Sequence, residues 1–160
     1  IQIVTATGIA LETAVTATAF VGIAQVGARF LQTFLGQRLS MDWQARIPIW
    51  TLPLAFVVLM AAPSTLATAV LFAVLFGGAK GLFTILRGTL PLELFGSEGY
   101  ARILGALAVP FLISAAIAPF AVGLLEDAAG PGAVLIAMTI AAFVTLAGIE
   151  TLLRLVARTR

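Results

Sequence analysis

Long apolar runs separated by short charged stretches constrain this chain more than any other feature of its sequence. The most informative run is residues 47–79, which lie between Arg46 and Lys80 and contain no charged side chain. One helix of that length would be about 50 Å long, whereas the hydrocarbon core of a bilayer is about 30 Å thick. Pro63 and Ser64 provide a turn within the run. The run therefore predicts two membrane-spanning helices.

The composition indicates that lipid, rather than water, surrounds most of the protein. Of the 160 residues, 61% are hydrophobic and 10% are charged, and the mean hydropathy is +1.14. Soluble domains contain about a quarter charged residues, so this chain has too little polar surface to cover a water-soluble globule. The lipid bilayer is therefore the first predicted partner. The net charge of +2 gives no indication of nucleic-acid binding.

The absence of two residue types limits the chemistry that the chain can perform. The sequence contains no cysteine and no histidine, which removes disulfides, thiolate chemistry and the commonest general base and metal ligand. Paired carboxylates for general acid–base catalysis are also missing from the apolar runs. We therefore expect a protein that is not an enzyme and that binds no metal and no cofactor.

Charged residues divide the chain into five predicted transmembrane helices. The predicted fold class is all-α, a polytopic integral membrane bundle over residues 1–160. Pro110 and Pro119 predict a bent fourth span, and the polar segment 126–132 predicts a tight turn before the fifth. No start methionine precedes Ile1, and the chain opens within an apolar pattern, so we interpret it as a fragment of a larger protein. The predicted spans are residues 8–30, 45–62, 65–87, 102–125 and 133–153.

Basic residues fall on one side of this predicted topology. Five spans put the segments 29–46, 87–102 and 154–160 on one side of the bilayer and the other loops on the opposite side. The first side then carries eight arginines and the second carries none. Such a bias marks the cytoplasmic side, so we expect the N-terminus outside and the C-terminus in the cytoplasm. The arginines are Arg29, Arg38, Arg46, Arg87, Arg102, Arg154, Arg158 and Arg160.

Lys80 is the most specific candidate for a functional residue. It precedes the predicted membrane exit at Arg87 by two helical turns, which puts it about 10 Å inside the membrane. An ionisable side chain at that depth costs about 2.5 kcal/mol or more unless it faces water or a partner. Lys80 therefore either lines a cavity, where it binds an anionic group or pairs with a carboxylate, or extends along the helix to the inner interface. The sequence leaves both interpretations open.

Small and polar residues share the predicted membrane interior with Lys80. Gly77 and Gly81 form a GxxxG spacing, which favours close helix packing and alternatively leaves room for a substrate. Gln25 lies deep in the first predicted span, where it either bonds to a neighbouring helix or lines an aqueous path. Arg29 follows one turn later and either marks the inner end of that path or anchors the helix at the cytoplasmic interface.

Charges of both signs flank the loop between the third and fourth predicted spans. These residues either form a cytoplasmic gate, whose ion pairs open and close during a transport cycle, or remain solvated anchors of the helix ends. They are Arg87, Glu93, Glu98 and Arg102.

Two segments resemble the C-terminal half of bacterial major facilitator superfamily transporters. They are GIAQVGARFLQTFLGQRLS, residues 22–40, and GGAKGLFTILRGTLPLELFGSEGYARILGALAVPFLISAAIAPFAVGLL, residues 77–125. The resemblance implies that the five predicted spans are helices eight to twelve of a partial major-facilitator fold. It also implies a missing N-terminal helical half, supplied by the same polypeptide or by a partner.

This family moves solutes by alternating access, in which two helical halves rock around a central site. The resemblance implies that Gln25, Lys80 and Thr84 line the substrate cavity. Our leading hypothesis is therefore part of a secondary active transporter of a small molecule in the bacterial inner membrane, with proton-coupled efflux as its specific form. Proton coupling has the least support because no carboxylate lies deep in any predicted span. The alternative is a non-transporting membrane scaffold or accessory subunit.

Overall fold

The structure, a computed structural model, describes residues 11–62 and 64–159 as an all-helical chain. The helices are α1 (Leu11–Leu35), α2 (Met41–Ala61), α3 (Leu66–Phe95) and α4 (Tyr100–Thr159), with a short 3-10 helix at Gly36–Arg38. No strand occurs in the described part of the chain, so the predicted all-α class is confirmed. Each of the four α-helices is long and apolar enough to cross a membrane. The length and composition of these helices indicate a membrane protein.

Helix ends next to charged residues extend beyond the predicted spans, because a charged residue marks the edge of the hydrocarbon core rather than the end of a helix. Helix α2 begins at Met41 instead of residue 45, and α3 continues beyond Arg87 to Phe95. The loop predicted over 87–102 is thereby reduced to residues 96–99. The first residues of the predicted span 8–30 lie outside the described residues. Where the lipid boundary crosses each helix stays a prediction.

Helix α4 is interrupted at Gly130. This residue has φ 79° and ψ 170°, which are the only non-helical backbone angles within Tyr100–Thr159. A residue without a Cβ adopts positive φ without strain, and Pro131 directly after it suits the first position of a new helix. The non-helical part of the turn predicted over residues 126–132 is therefore confined to Gly130. We refer to residues 100–129 as the first limb of α4 and to residues 131–159 as its second limb.

Helices α1 and α3 pack side by side and run parallel to each other. A Cβ placed on Gly81 would lie 2.5 Å from the backbone oxygen of Gln25, and one on Gly77 would meet the backbone oxygen of Val21. Both contacts advance by one turn in the same direction along the two helices. The absence of side chains at these glycines allows the two backbones to touch.

Helix α2 packs against the second limb in the opposite direction. The guanidinium of Arg46, near the start of α2, contacts Glu150, near the end of the second limb. At the other end of α2, the Thr139 hydroxyl donates to the Met60 sulfur at 3.4 Å. The two contacts run antiparallel. The second limb therefore runs alongside α2 in the opposite direction.

The core consists mainly of alanines and three phenylalanines. Phe56 on α2 and Phe72 and Phe76 on α3 have ring centroids 5.4–5.9 Å apart. Small residues around them let the helices approach closely. The buried residues of this cluster are Ala14, Ala17, Ala55, Phe56, Leu59, Ala69, Phe72, Leu135 and Ala142.

The first limb is the least packed helix of the structure. Every residue from 111 to 120 is exposed. Near its start, the Tyr100 hydroxyl donates to the Gly88 carbonyl oxygen at 2.7 Å, and Arg87 contacts the ring of Phe111. The limb is thus joined to the end of α3 while its long apolar surface remains open to lipid or to further helices.

We predict that the α1–α3 contact tolerates no added methyl group. Changing Gly81→Ala pushes the two backbones apart and should reduce the free energy of unfolding by about 1–3 kcal/mol. Gly78→Ala is the matched control, because nothing lies within 4 Å of a Cβ at Gly78. Unfolding in detergent micelles, followed by circular dichroism, measures both variants. Equal stability of the two variants would contradict the contact.

Candidate functional site

A cavity of about 500 Å³ lies between α3 and the two limbs of α4, and we call it the α3–α4 cavity. Its ionisable and hydroxyl-bearing lining residues are Lys80, Thr84 and Arg87, all on α3. Leu107 and Phe111 line it from the first limb, and the second limb contributes Ile149. Phe111 precedes Gly130 by as many residues as Ile149 follows it, so the chain reverses at Gly130 and both limbs reach one cavity.

Lys80, Thr84 and Arg87 share one face of α3 because they are spaced by about one helical turn. All three are exposed. The predicted cavity residues Lys80 and Thr84 are therefore brought together, and Arg87, predicted as a gate or anchor, lines the same cavity.

Arg29 approaches this group from α1. Its Nη2 donates a hydrogen bond to the Thr84 hydroxyl oxygen at 3.2 Å, and the Thr84 hydroxyl in turn donates to the Lys80 carbonyl oxygen at 3.0 Å. The Arg29 Nε is buried and has no hydrogen-bond partner among the described residues. The α1–α3 contact thus puts a third cation behind the cavity wall. Sequence reasoning selected Arg29 and Thr84 separately and did not predict that they touch.

Arg87 joins α3 to the first limb across the cavity. Its guanidinium carbon lies 3.6 Å from the centre of the Phe111 ring. A cation over an aromatic face is stabilised by about 0.5–2 kcal/mol, depending on its exposure to water. The contact positions the guanidinium without neutralising its charge. Phe111 was not among the predicted site residues, because no pattern in the sequence pairs it with Arg87.

Gln25 lies outside the cavity lining. It is half-buried on α1, and its backbone oxygen faces Gly81 at the contact between α1 and α3. Of the three residues that the sequence assigned to a cavity, two therefore line the α3–α4 cavity and the third lies at a helix–helix contact.

Glu98 and Arg102 also lie away from the cavity lining. Both are exposed, Glu98 in the loop after α3 and Arg102 in the first turn of the first limb. Gly96, with φ 75°, ends α3 and begins this loop. The ion pairs of Glu150 with Arg46 and Arg154 lie elsewhere in the structure. The gate that the sequence suggested stays a prediction.

Glu150 connects α2 with the second limb. Its two carboxylate oxygens accept from Arg46 Nε and Nη2, both at 3.2 Å, and Arg154 Nε lies 3.3 Å away. Arg154 lies four residues after Glu150, the spacing at which side chains of one helix face each other. The pair with Arg46 was missed, because the two residues are 104 positions apart.

A second hollow of about 350 Å³ lies at the opposite end of α2. It is lined by Met60 and by residues of the second limb, and apart from the hydroxyl of Thr139 its lining is apolar. This hollow therefore offers no charge to a ligand. Within residues 11–62 and 64–159, no group of three or more carboxylate, imidazole or thiol side chains is placed to hold a metal ion.

The chain was compared with protein-family models, with curated proteins and with solved structures, and no match was found in any of the three. The candidate site therefore rests on its geometry.

We predict that Arg46 contributes more to stability than Arg154. The side chain of Arg46 is 31% exposed and joins two helices, whereas that of Arg154 is 71% exposed and pairs within its own helix. Arg46→Gln should lower the free energy of unfolding by about 1–3 kcal/mol, and Arg154→Gln by about 0.5 kcal/mol or less. Denaturant unfolding in micelles at low salt compares the two variants, which change charge equally. A larger loss for Arg154→Gln would contradict the structural role of Arg46.

Proposed function

We propose that this chain is part of a secondary active transporter that moves a small molecule across the bacterial inner membrane by alternating access. The observation that carries the proposal is the α3–α4 cavity, which has two cations, Lys80 and Arg87, between helices of membrane-spanning length. Clefts of about 300–1,000 Å³ between helices are typical of small-molecule sites. A cavity of about 500 Å³ falls within that range.

The resemblance to the C-terminal half of major facilitator superfamily transporters supports the same function. On this proposal α1, α2, α3 and the two limbs of α4 are five spans, equivalent to helices eight to twelve. A further helical half, in the same polypeptide or in a partner, covers the open faces and completes the transport pathway. Proton-coupled efflux is the specific form that we propose.

Helix directions and charge positions support five crossings. Helices α1 and α3 are parallel, and α2 is antiparallel to the second limb. Arg29 contacts Thr84, Arg46 contacts Glu150, and Arg87 lines a cavity with Ile149. These arginines therefore gather at one end of the bundle, which we assign to the cytoplasm because basic residues favour that side.

A non-transporting scaffold or accessory subunit is the second candidate. The side chain of Lys80 is exposed, and a long exposed lysine can extend to the membrane interface without binding a ligand. In that case Lys80 contributes to helix placement, and solute flux does not depend on it.

We predict that residues 64 and 97 face opposite compartments. Because the chain contains no cysteine, Ser64→Cys and Ser97→Cys each introduce a single thiol. A membrane-impermeant maleimide applied to intact spheroplasts should label position 64 only, and should label position 97 only after the membrane is opened. Positions 64 and 97 lie just before and just after α3. Labelling of both thiols from the same compartment would contradict a single crossing of the membrane by α3.

We predict that transport requires the charge at position 80. The protein that contains these helices is reconstituted into proteoliposomes, and solute flux is measured under an imposed proton gradient. Lys80→Met should reduce flux at least tenfold with normal membrane insertion, whereas Lys80→Arg should retain part of it because the cation is kept.

Arg158→Gln is the control, because Arg158 is exposed near the end of the second limb and does not line the cavity. Unchanged flux in Lys80→Met would contradict a substrate-binding role for Lys80. Absence of any gradient-driven flux in the unmodified protein would favour the scaffold.

A further inference from the structure

The charges around the α3–α4 cavity are unbalanced. Lys80 and Arg87 line it, and Arg29 lies behind Thr84 at a hydrogen-bonding distance of 3.2 Å. None of the described lining residues carries a carboxylate. Cations held together between membrane helices are costly unless an anion or water compensates them. The charges that line the cavity therefore favour an anionic ligand over a cationic one.

The carboxylate of the residue that follows the cavity-lining Ile149 already forms ion pairs. Glu150 follows Ile149, which lines the cavity, but its oxygens are engaged by Arg46 at 3.2 Å and by Arg154 at 3.3 Å. Its charge is compensated by those two arginines. Lys80 and Arg87 thus do not share Glu150, and the described lining of the cavity supplies no carboxylate to compensate them.

The remaining walls of the cavity are apolar. Phe83 and Leu86 on α3 face it together with Leu107, Phe111 and Ile149 on the two limbs. A small inorganic anion would cover none of these apolar walls. A ligand with an apolar body would bury them at a gain of about 25 cal/mol for each square ångström removed from water.

The contact between Arg87 and Phe111 fits the same type of ligand. The ring lies 3.6 Å from the guanidinium carbon and holds the cation at the boundary between the charged and apolar parts of the lining. A guanidinium positioned on an aromatic ring can also bind a carboxylate or phosphate through two N–H groups. Lys80, two turns earlier on the same face, supplies a second point charge.

We propose that the α3–α4 cavity binds an amphipathic anion, whose phosphate or carboxylate contacts Lys80 and Arg87 and whose apolar body lies against Phe83, Leu107 and Phe111. This proposal names the ligand class of the cavity. It rests on the proposed function only where it treats the ligand as the transported solute. The shared chemistry is an anionic head on an apolar chain. Its source is either an anionic lipid of the bilayer or a soluble organic anion.

The test measures binding of decyl phosphate to the purified chain in a neutral maltoside detergent, by isothermal titration. Decanol is the uncharged probe of the same chain length. The unmodified protein should bind decyl phosphate at least tenfold more tightly than decanol. Lys80→Gln and Arg87→Gln should each weaken decyl phosphate binding about tenfold or more, because each removes a charge-assisted hydrogen bond, and should leave decanol binding unchanged.

Matched variants separate this loss from misfolding. Arg158→Gln removes the same charge outside the cavity lining and should bind decyl phosphate as the unmodified protein does. Lys80→Arg keeps the cation and should recover binding, and circular dichroism checks the helix content of every variant. Equal affinity for decyl phosphate and decanol, or equal binding by Lys80→Gln and Arg158→Gln, would overturn the proposal.

The source of the anion is identified in nanodiscs of phosphatidylcholine with and without phosphatidylglycerol. Retention of phosphatidylglycerol by the unmodified protein in native mass spectrometry, lost in Lys80→Gln, would identify a bilayer lipid. Binding of decyl phosphate without such retention would identify a soluble amphiphile. Charge-dependent binding without solute flux would support the anion site and contradict the transporter, whereas solute flux by an unmodified protein that binds decyl phosphate no more tightly than decanol would contradict the anion site alone.

Discussion

The contact of α1 with α3 through Gly77 and Gly81 determines the geometry of the candidate site. Each glycine faces a backbone oxygen of α1, so the register between the two helices is set by main-chain atoms rather than by adjustable side chains. One turn beyond the contact of Gly81 with Gln25, this register brings Arg29 to Thr84. A larger residue at either glycine would move Arg29 away from the α3–α4 cavity. The close packing of α1 against α3 therefore also determines the position of the Arg29 guanidinium.

Lipid as the solvent explains which parts of this structure were predictable. In a bilayer, backbone groups must be satisfied within the chain, so apolar runs of sufficient length form helices. The all-α class and helices long enough to span a membrane follow directly from that rule, whereas the division of α4 into a fourth and a fifth span stays a prediction. The rule does not say where a helix ends, because α3 continues through Arg87 and Pro91 to Phe95 in a region where charge returns. The rule also does not predict that the break in helical structure is confined to Gly130 instead of extending over residues 126–132.

The candidate site was predictable only as separate residues. Lys80 attracted attention because an ionisable group within an apolar run is rare, and Arg29 and Thr84 were selected for other reasons. Their association depends on the packing of α1 against α3, and the contact of Arg87 with Phe111 depends on the direction of the first limb. Such long-range pairs leave no periodic signal in one sequence. The same reason applies to the pair of Arg46 with Glu150, whereas Arg154 lies one turn after Glu150, at the spacing that pairs side chains within one helix.

The contrast between these two groups of charges bears on function. Where the fold uses charge to join helices, it supplies the partner: Arg46 and Arg154 share the carboxylate of Glu150. Lys80 and Arg87 line a cavity whose described lining contains no carboxylate. If packing alone had determined these positions, apolar residues would fill them without the cost of a charge near the membrane interior. On the proposal of an amphipathic ligand, an anion that enters the cavity supplies the missing charge and gives the two cations that line it a physical reason.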